Sequence, residues 1–354
     1  MKGVSHSKTL AAVFLLLAGL LPTCLRAQEG KQQIARLGTC KLESGQVIED
    51  CRIGYRTYGT LNAAGANAVL MPTWLYGTSA ELAAHFGTQP SHTRLVDTTR
   101  FFGIALDAFG NGVSSSPSNS TTQHGPAFPI FTTADMVEAE YRVATEILHL
   151  KHVHAIVGLS MGGEQTFQWA VLHPDFFDLA VPIVSTPRLT VYDLQSKRIM
   201  LEAIRSDPDF QGGHYAKQPA LRLANLINVQ AVTTPELRNQ STPRADFEAF
   251  VAKSEAPIAM DANDRVSQLE AIVRHDALHG RTIEEAAHAA RAKFLIIVAA
   301  QDHMVTPSEA IRWARAINAP LYISQGSCAH LIMTCDAAAV SQRTDHFLKG
   351  ESMP

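Results

Sequence analysis

"HAIVGLSMGGEQTFQWAVLHP", residues 154–174, runs from an apolar stretch through Ser160, flanked by Gly158 and Gly162, into a segment where Phe167, Ala170 and Val171 recur at helical spacing. The apolar stretch predicts a buried strand, and the periodic segment predicts a helix that Pro174 closes. Gly158, Ser160 and Gly162 spell G-x-S-x-G at the junction. A sharp turn there lifts the hydroxyl clear of a sheet, the glycines allow close backbone approach, and the first N–H groups of the helix face developing negative charge. A turn serine with no chemistry is the competing explanation, since three fixed residues often match by chance. A buried strand before the motif and a helix after it favour Ser160 as a nucleophile.

Outward from this junction, apolar runs alternate with amphipathic segments. Strand-like runs are "AVLMPTWL" (68–75), "FFGIALDAF" (101–109), "HAIVGL" (154–159), "FDLAVPIV" (177–184), "KFLIIVAA" (293–300) and "PLYIS" (320–324). Between the second and third, Val137, Tyr141, Ala144 and Leu148 predict a helix behind a Thr132 to Asp135 capping box. The rhythm breaks over 189–291, where charge-rich, helix-compatible sequence carries no convincing strand. The expectation is an α/β core of residues 28–188 and 292–354, one mostly parallel sheet with helices on both faces, interrupted by a helical cap over 189–291.

A serine hydroxyl is a weak nucleophile until a base takes its proton, and the base needs an acid to fix its tautomer. In this architecture the chain order is Ser, acid, His. Asp302 follows "KFLIIVAAQ" and His330 follows "PLYISQGSCA", each at the end of a predicted strand. His303 is the rival base. Asp107, which precedes the serine, and Asp178, at the wrong end of its strand, are the rival acids, and Asp302 also has the position of a helix cap ahead of "PSEAIRWARAI". Donors for an oxyanion are expected from the backbone N–H of Met161 and, in "WLYGTS", of Leu75. "HDALH" (275–279) lacks the glutamate and third ligand of a zinc helix and reads as a solvated helix face. No glycine-rich phosphate loop appears, so neither metal nor cofactor is expected.

The chain has 354 residues, 46% hydrophobic and 18% charged, with a formal charge of -3. The length exceeds what a single small core requires, and the charge balance argues against a nucleic-acid partner and for small, nearly neutral ones. A homodimer is neither required nor excluded. "MKGVSHSKTLAAVFLLLAGLLPTCLRAQEG" sets Lys2 and Lys8 before an apolar stretch that ends in a small-residue exit at Ala27. That pattern predicts a cleaved signal peptide over 1–27 and a periplasmic or secreted protein, the stretch being short for a membrane span. Cys24 as a lipid attachment point is the alternative, disfavoured by Thr23 before it. Four cysteines remain, Cys40, Cys51, Cys328 and Cys335. "CKLESGQVIEDC" predicts two strands around a Ser-Gly turn, which sets Cys40 opposite Cys51 if the loop is four residues long, and Cys328 and Cys335 bracket His330. Four buried thiols are the other arrangement compatible with the spacing.

"LESGQVIEDCRIGYRTYGTLN", "FPIFTTADMVEAEYRV", "GLSMGGEQTFQWA", "VSTPRLTVYD" and "LEAIRSDPDFQGGHY" occur in that order along most of the chain. This set resembles the homoserine O-acetyltransferase branch of the α/β-hydrolase superfamily. The resemblance implies the α/β-hydrolase fold, Ser160 as nucleophile, Asp302 as acid, His330 as base and a helical cap over the site. The family's homoserine enzymes hold the substrate carboxylate with an arginine and a tyrosine seven residues apart in a cap helix. Here "LANLINVQAVTTPE" sets Ala224 and Ala231 at those positions, with Arg222 off register, and Leu331 follows His330 where the family has an aspartate. A site without those partners is not built for homoserine. A CoA thioester is also a cytoplasmic donor, which fits an exported chain poorly. The expected activity is therefore hydrolysis of a small acyl ester through an acyl-enzyme. Transfer of the acyl group to a small alcohol is the alternative, and a binding protein without catalysis is the third.

Overall fold

The computed structural model describes residues 29–353. The predicted leader and Cys24 lie outside them.

Strands β1 (Gln33–Lys41) and β2 (Val47–Tyr58) form an antiparallel hairpin. Its turn spans 42–46, with Gly45 at φ 82°, a conformation that glycine adopts without Cβ strain. Lys41 pairs with Val47 and Cys40 with Ile48, and two irregularities between Arg36 and Cys40 then shift the register so that Gly38 faces Cys51. The four-residue loop with Cys40 directly opposite Cys51 is thus corrected to a longer turn. The bulged strand still brings the two cysteines within disulfide distance, Cα to Cα 5.6 Å.

Beyond the hairpin come β3 (Ala68–Pro72), α1 (Ser79–Leu82), the short pair β4 (Phe86–Gly87) and β5 (Val96–Asp97), and β6 (Phe102–Leu106). Then follow α2 (Thr133–Arg142), β7 (Val153–Leu159), α3 (Met161–Leu172) and β8 (Phe177–Ile183). α2 begins with the expected capping box, in which Thr132 Oγ1 accepts the Asp135 N–H and the Asp135 carboxylate accepts the Thr132 N–H. After a helical stretch come β9 (Lys293–Phe294), β10 (Ile296–Ala299), α10 (Ser308–Ala316), β11 (Leu321–Ser324), α11 (Ile332–Cys335) and α12 (Ala337–Lys349).

The main sheet has the order β1-β2-β6-β3-β7-β8-β10-β11, with β9 also paired to β8. Only the β1–β2 and β2–β6 pairs are antiparallel. The central strands are apolar on both faces because both are covered. Ala68, Leu70, Phe102, Ile104, Ile296 and Val298 face a core shared with α2, α3, α9 (Ile283–Ala289) and α10. Val69, Met71, Ala105, Ile297 and Ala299 face the other core, with α1 and α12.

Between β8 and β9 lie α4 (Val191–Arg205), α5 (Arg222–Ala231), α6 (Pro235–Ser241), α7 (Phe247–Ser254), α8 (Ala262–Val273) and α9. α4, α5 and α8 share a third core in which Met200, Leu201, Ile204, Ala224 and Leu269 pack with Met304 and Val305 from the loop after β10. α9 packs instead against α10 on the sheet. Residues 275–279 follow the end of α8, and His275 is buried, bonded to Thr133 Oγ1 at 2.8 Å and to the Thr186 carbonyl at 2.9 Å. The solvated helix face expected there is corrected: His275 is a neutral tie between α2 and the loop after β8, with burial pushing it down to about 4.

Candidate active site

β7 ends at Leu159 and α3 begins at Met161, so Ser160 alone turns the chain from strand to helix, at φ 55° and ψ −122°. A side chain at positive φ is strained, and the turn is held by its surroundings. The Ser160 N–H donates to the Ile183 carbonyl at 2.9 Å. A Cβ on Gly158 would fall on the Gly162 carbonyl, and one on Gly162 would fall on the Pro72 carbonyl. The two glycines of the motif are therefore required by close backbone approach around the serine.

Asp302 lies in the loop after β10, and His330 in a single 3₁₀ turn, Ala329–Leu331, after β11. His330 Nδ1 is 2.8 Å from Asp302 Oδ2, and His330 Nε2 is 2.8 Å from Ser160 Oγ. Nδ1–H donates to the carboxylate, which leaves Nε2 to accept the serine O–H. The Asp302 side chain is 1% exposed, and its other oxygen accepts the N–H groups of Met304 at 2.9 Å and Val305 at 3.0 Å. Asp302 does not cap α10, whose N-cap is Pro307. Buried, charge-assisted bonds of this kind fix the carboxylate's direction.

Met161 opens α3, and its N–H meets no acceptor among the described residues. Leu75 lies in a turn closed by the Gly77 N–H on the Trp74 carbonyl at 2.9 Å, with Tyr76 at φ 68°. The Tyr76 N–H is taken by Gln268 Oε1 at 2.8 Å, whereas that of Leu75 has no acceptor among the described residues. Cys328 and Cys335, on either side of His330, are within disulfide distance, Cα to Cα 5.9 Å.

The rivals lie elsewhere. His303 Nδ1 faces the Gln301 carbonyl. Asp107 is buried on Ser79, Asn111 and Gln32. Asp178 pairs with His152 at the surface. Ala224 is buried in α5, Arg222 is exposed, and Leu331 is 38% exposed.

Sequence reading passed over Asp193 and Lys197 as part of a charge-rich stretch. Both are buried in α4 on the stripe that includes Met200, Leu201 and Ile204, and both touch the Asp302 loop. A charged residue on an otherwise apolar helical stripe is the signal that would have found them.

The model of the alpha/beta hydrolase fold family matches residues 80–334. The chain belongs to the α/β-hydrolase fold family. It is 35% identical over 193 residues to an ethyl acetate hydrolase of Pseudomonas veronii, 54% of each chain. It is also 29% identical over 316 residues to a homoserine O-acetyltransferase of Acidiphilium cryptum, 78% of this chain and 83% of that one. The match thus spans about half the length of the hydrolase relative. Among solved structures, the acetyl esterase MekB superposes with a TM-score of 0.81 at 26% identity, covering 91% of this α/β-hydrolase and 96% of the esterase. The sequence-based assignment to the homoserine acetyltransferase-like branch agrees with this mixture of esterase and acyltransferase relatives.

Proposed function

We propose that this α/β-hydrolase cleaves short acyl esters of small alcohols through an acyl-enzyme on Ser160. The observation that carries this reading is the unbroken chain of 2.8 Å contacts from Ser160 Oγ through His330 to Asp302. Ser160 Oγ attacks the ester carbonyl carbon as its proton passes to His330 Nε2. Asp302 stabilises the imidazolium, and the Met161 and Leu75 N–H groups donate to the carbonyl oxygen as negative charge develops on it. The leaving alcohol takes the proton from His330, and water then releases the acid by the same steps in reverse. Relatives named as an ethyl acetate hydrolase and an acetyl esterase support a small acyl group, acetyl first. The helices α4 to α8 serve as the cap that limits substrate size. Export follows from the leader pattern and is supported by the two cysteine pairs.

Transfer to an alcohol other than water is the second reading, favoured by the homoserine O-acetyltransferase relative. Against homoserine as acceptor, Ala224 and Ala231 offer no group to bind a carboxylate. The test is product analysis with p-nitrophenyl acetate and butyrate, with and without small alcohols, and separately with acetyl-CoA and L-homoserine. Free acid from the esters and no O-acetylhomoserine are expected. Homoserine acetylation at an ordinary enzymatic rate, roughly 1 to 10³ per second, would overturn the hydrolytic reading.

A further inference from the structure

Lys197 is a lysine almost wholly removed from solvent, at 1% exposure. Its Nζ donates to the Met304 carbonyl at 2.8 Å and lies 3.3 Å from the Met304 sulfur. Met304 is two residues past Asp302, and its N–H and that of Val305 are the donors that hold Asp302 Oδ1. One turn earlier on α4, Asp193 accepts the Thr306 N–H and the Thr306 hydroxyl, each at 2.9 Å. The same carboxylate caps α4 with Thr190. α4 therefore grips the turn after Asp302 at two points, Met304 and Thr306, through side chains four residues apart on one helical face.

Burying an ammonium is costly unless it is bonded and compensated. Glu164 in α3, Asp193 in α4 and Asp302 after β10 supply negative charge from three elements around it. Burial pushes Lys197 down, against the pull of those carboxylates. Glu164 has neither carboxylate oxygen hydrogen-bonded among the described residues, and burial pushes it up, against the pull of the Lys197 ammonium. A lysine that only answered Glu164 would be expected to bond to it. This one bonds to the backbone of the Asp302 turn instead.

We propose that Lys197 is a positioning residue: by holding the Met304 carbonyl it fixes the turn whose N–H groups aim the Asp302 carboxylate at His330. The proposal rests on the hydrolytic reading of Ser160. Removing the ammonium frees the turn, Asp302 wanders from the His330 Nδ1 proton, and the imidazole loses the orientation needed to accept the serine proton. Ground-state ester binding does not involve Lys197, so the loss falls on turnover.

Lys197→Met alone leaves Glu164 buried without a counter-charge, so the decisive variant is the doubly neutral Glu164→Gln/Lys197→Met, compared with Glu164→Gln and Lys197→Arg. With p-nitrophenyl acetate, the double variant should show kcat lowered roughly ten- to a hundred-fold and KM within about two-fold of the parent. Glu164→Gln alone should stay within about two-fold of the parent, and Lys197→Arg, which keeps a donor, should recover part of the loss relative to the double variant. Amide hydrogen exchange at Met304 and Val305 should quicken in the double variant, a readout that needs no turnover. A folded double variant with parental kcat and unchanged exchange at those two amides would overturn the proposal, leaving Lys197 as the charge partner of Glu164. Failure of the hydrolytic reading is seen separately, as absence of Ser160-dependent turnover in the unmodified protein.

Discussion

Glu140 of α2 is fully buried, with one oxygen accepting the Trp169 indole N–H at 3.0 Å and the other without a partner among the described residues. Burial pushes it from its ordinary value of 4.5 up to about 8. Between those two values the folded protein holds a proton that the unfolded chain has released. Stability is therefore fullest below about 4.5 and falls as pH rises toward about 8. Glu140→Gln keeps the acceptor for Trp169 and does not titrate. Its melting temperature relative to the parent should rise by several degrees between about pH 5 and about pH 8. Parallel melting curves across that range would show that Glu140 is ionised in the fold. At this scale the sequence made some residues legible and others not. Ser160, Asp302 and His330 each follow a strand-like run and could be placed by position and order. Met161 and Leu75 are proposed to act through backbone N–H groups, which carry no side-chain signature. Lys197 and Asp193 were hidden because charge was read as exposure.

The strand-to-helix turn at Ser160 is set by space as much as by its dihedral angles. Gly158→Ala would drive its Cβ into the Gly162 carbonyl. This change should cost about 1–3 kcal/mol of stability, read from chemical denaturation, and lower turnover because the serine moves with the turn. Parental stability would mean that the turn has slack that the packing does not suggest. The second element-level prediction is that Cys328 and Cys335, which lie within disulfide distance, are joined and close a short loop around His330. The closed loop is worth about 2 kcal/mol by loss of chain entropy in the unfolded state. Mild reductant should lower both melting temperature and activity, and peptide mapping without reduction should recover Cys328 joined to Cys335 and Cys40 joined to Cys51. Four free thiols in protein prepared from an oxidising compartment would contradict both pairs and weaken the case for export. The first hairpin shows where element-level reading fails. Its two cysteines were expected to face each other across a four-residue loop, but the turn spans 42–46 and pairs Cys40 with Ile48, and the bulges beyond Cys40, which leave no mark in the alternation of side chains, then set Gly38 opposite Cys51.

Across the whole molecule, the mostly parallel sheet is legible because its strands are apolar on both faces and appear as unbroken runs. The helices between β8 and β9 were legible only as a gap in that rhythm, and their partition between a separate core and the sheet face, where α9 packs, depends on contacts far apart in sequence. The sheet delivers loop residues from the ends of β7, β10 and β11 to one point, and the helical layer braces the loop of one of them. The most direct test of ester cleavage at that point is to mix the protein with p-nitrophenyl acetate, quench in acid within one turnover, and map the peptides by mass. An acetyl group on Ser160 that disappears to free acetate on longer incubation, and is absent in Ser160→Ala, is the expected result. A folded protein that releases p-nitrophenol without ever carrying acetyl on Ser160, or that carries it on another residue, would contradict it.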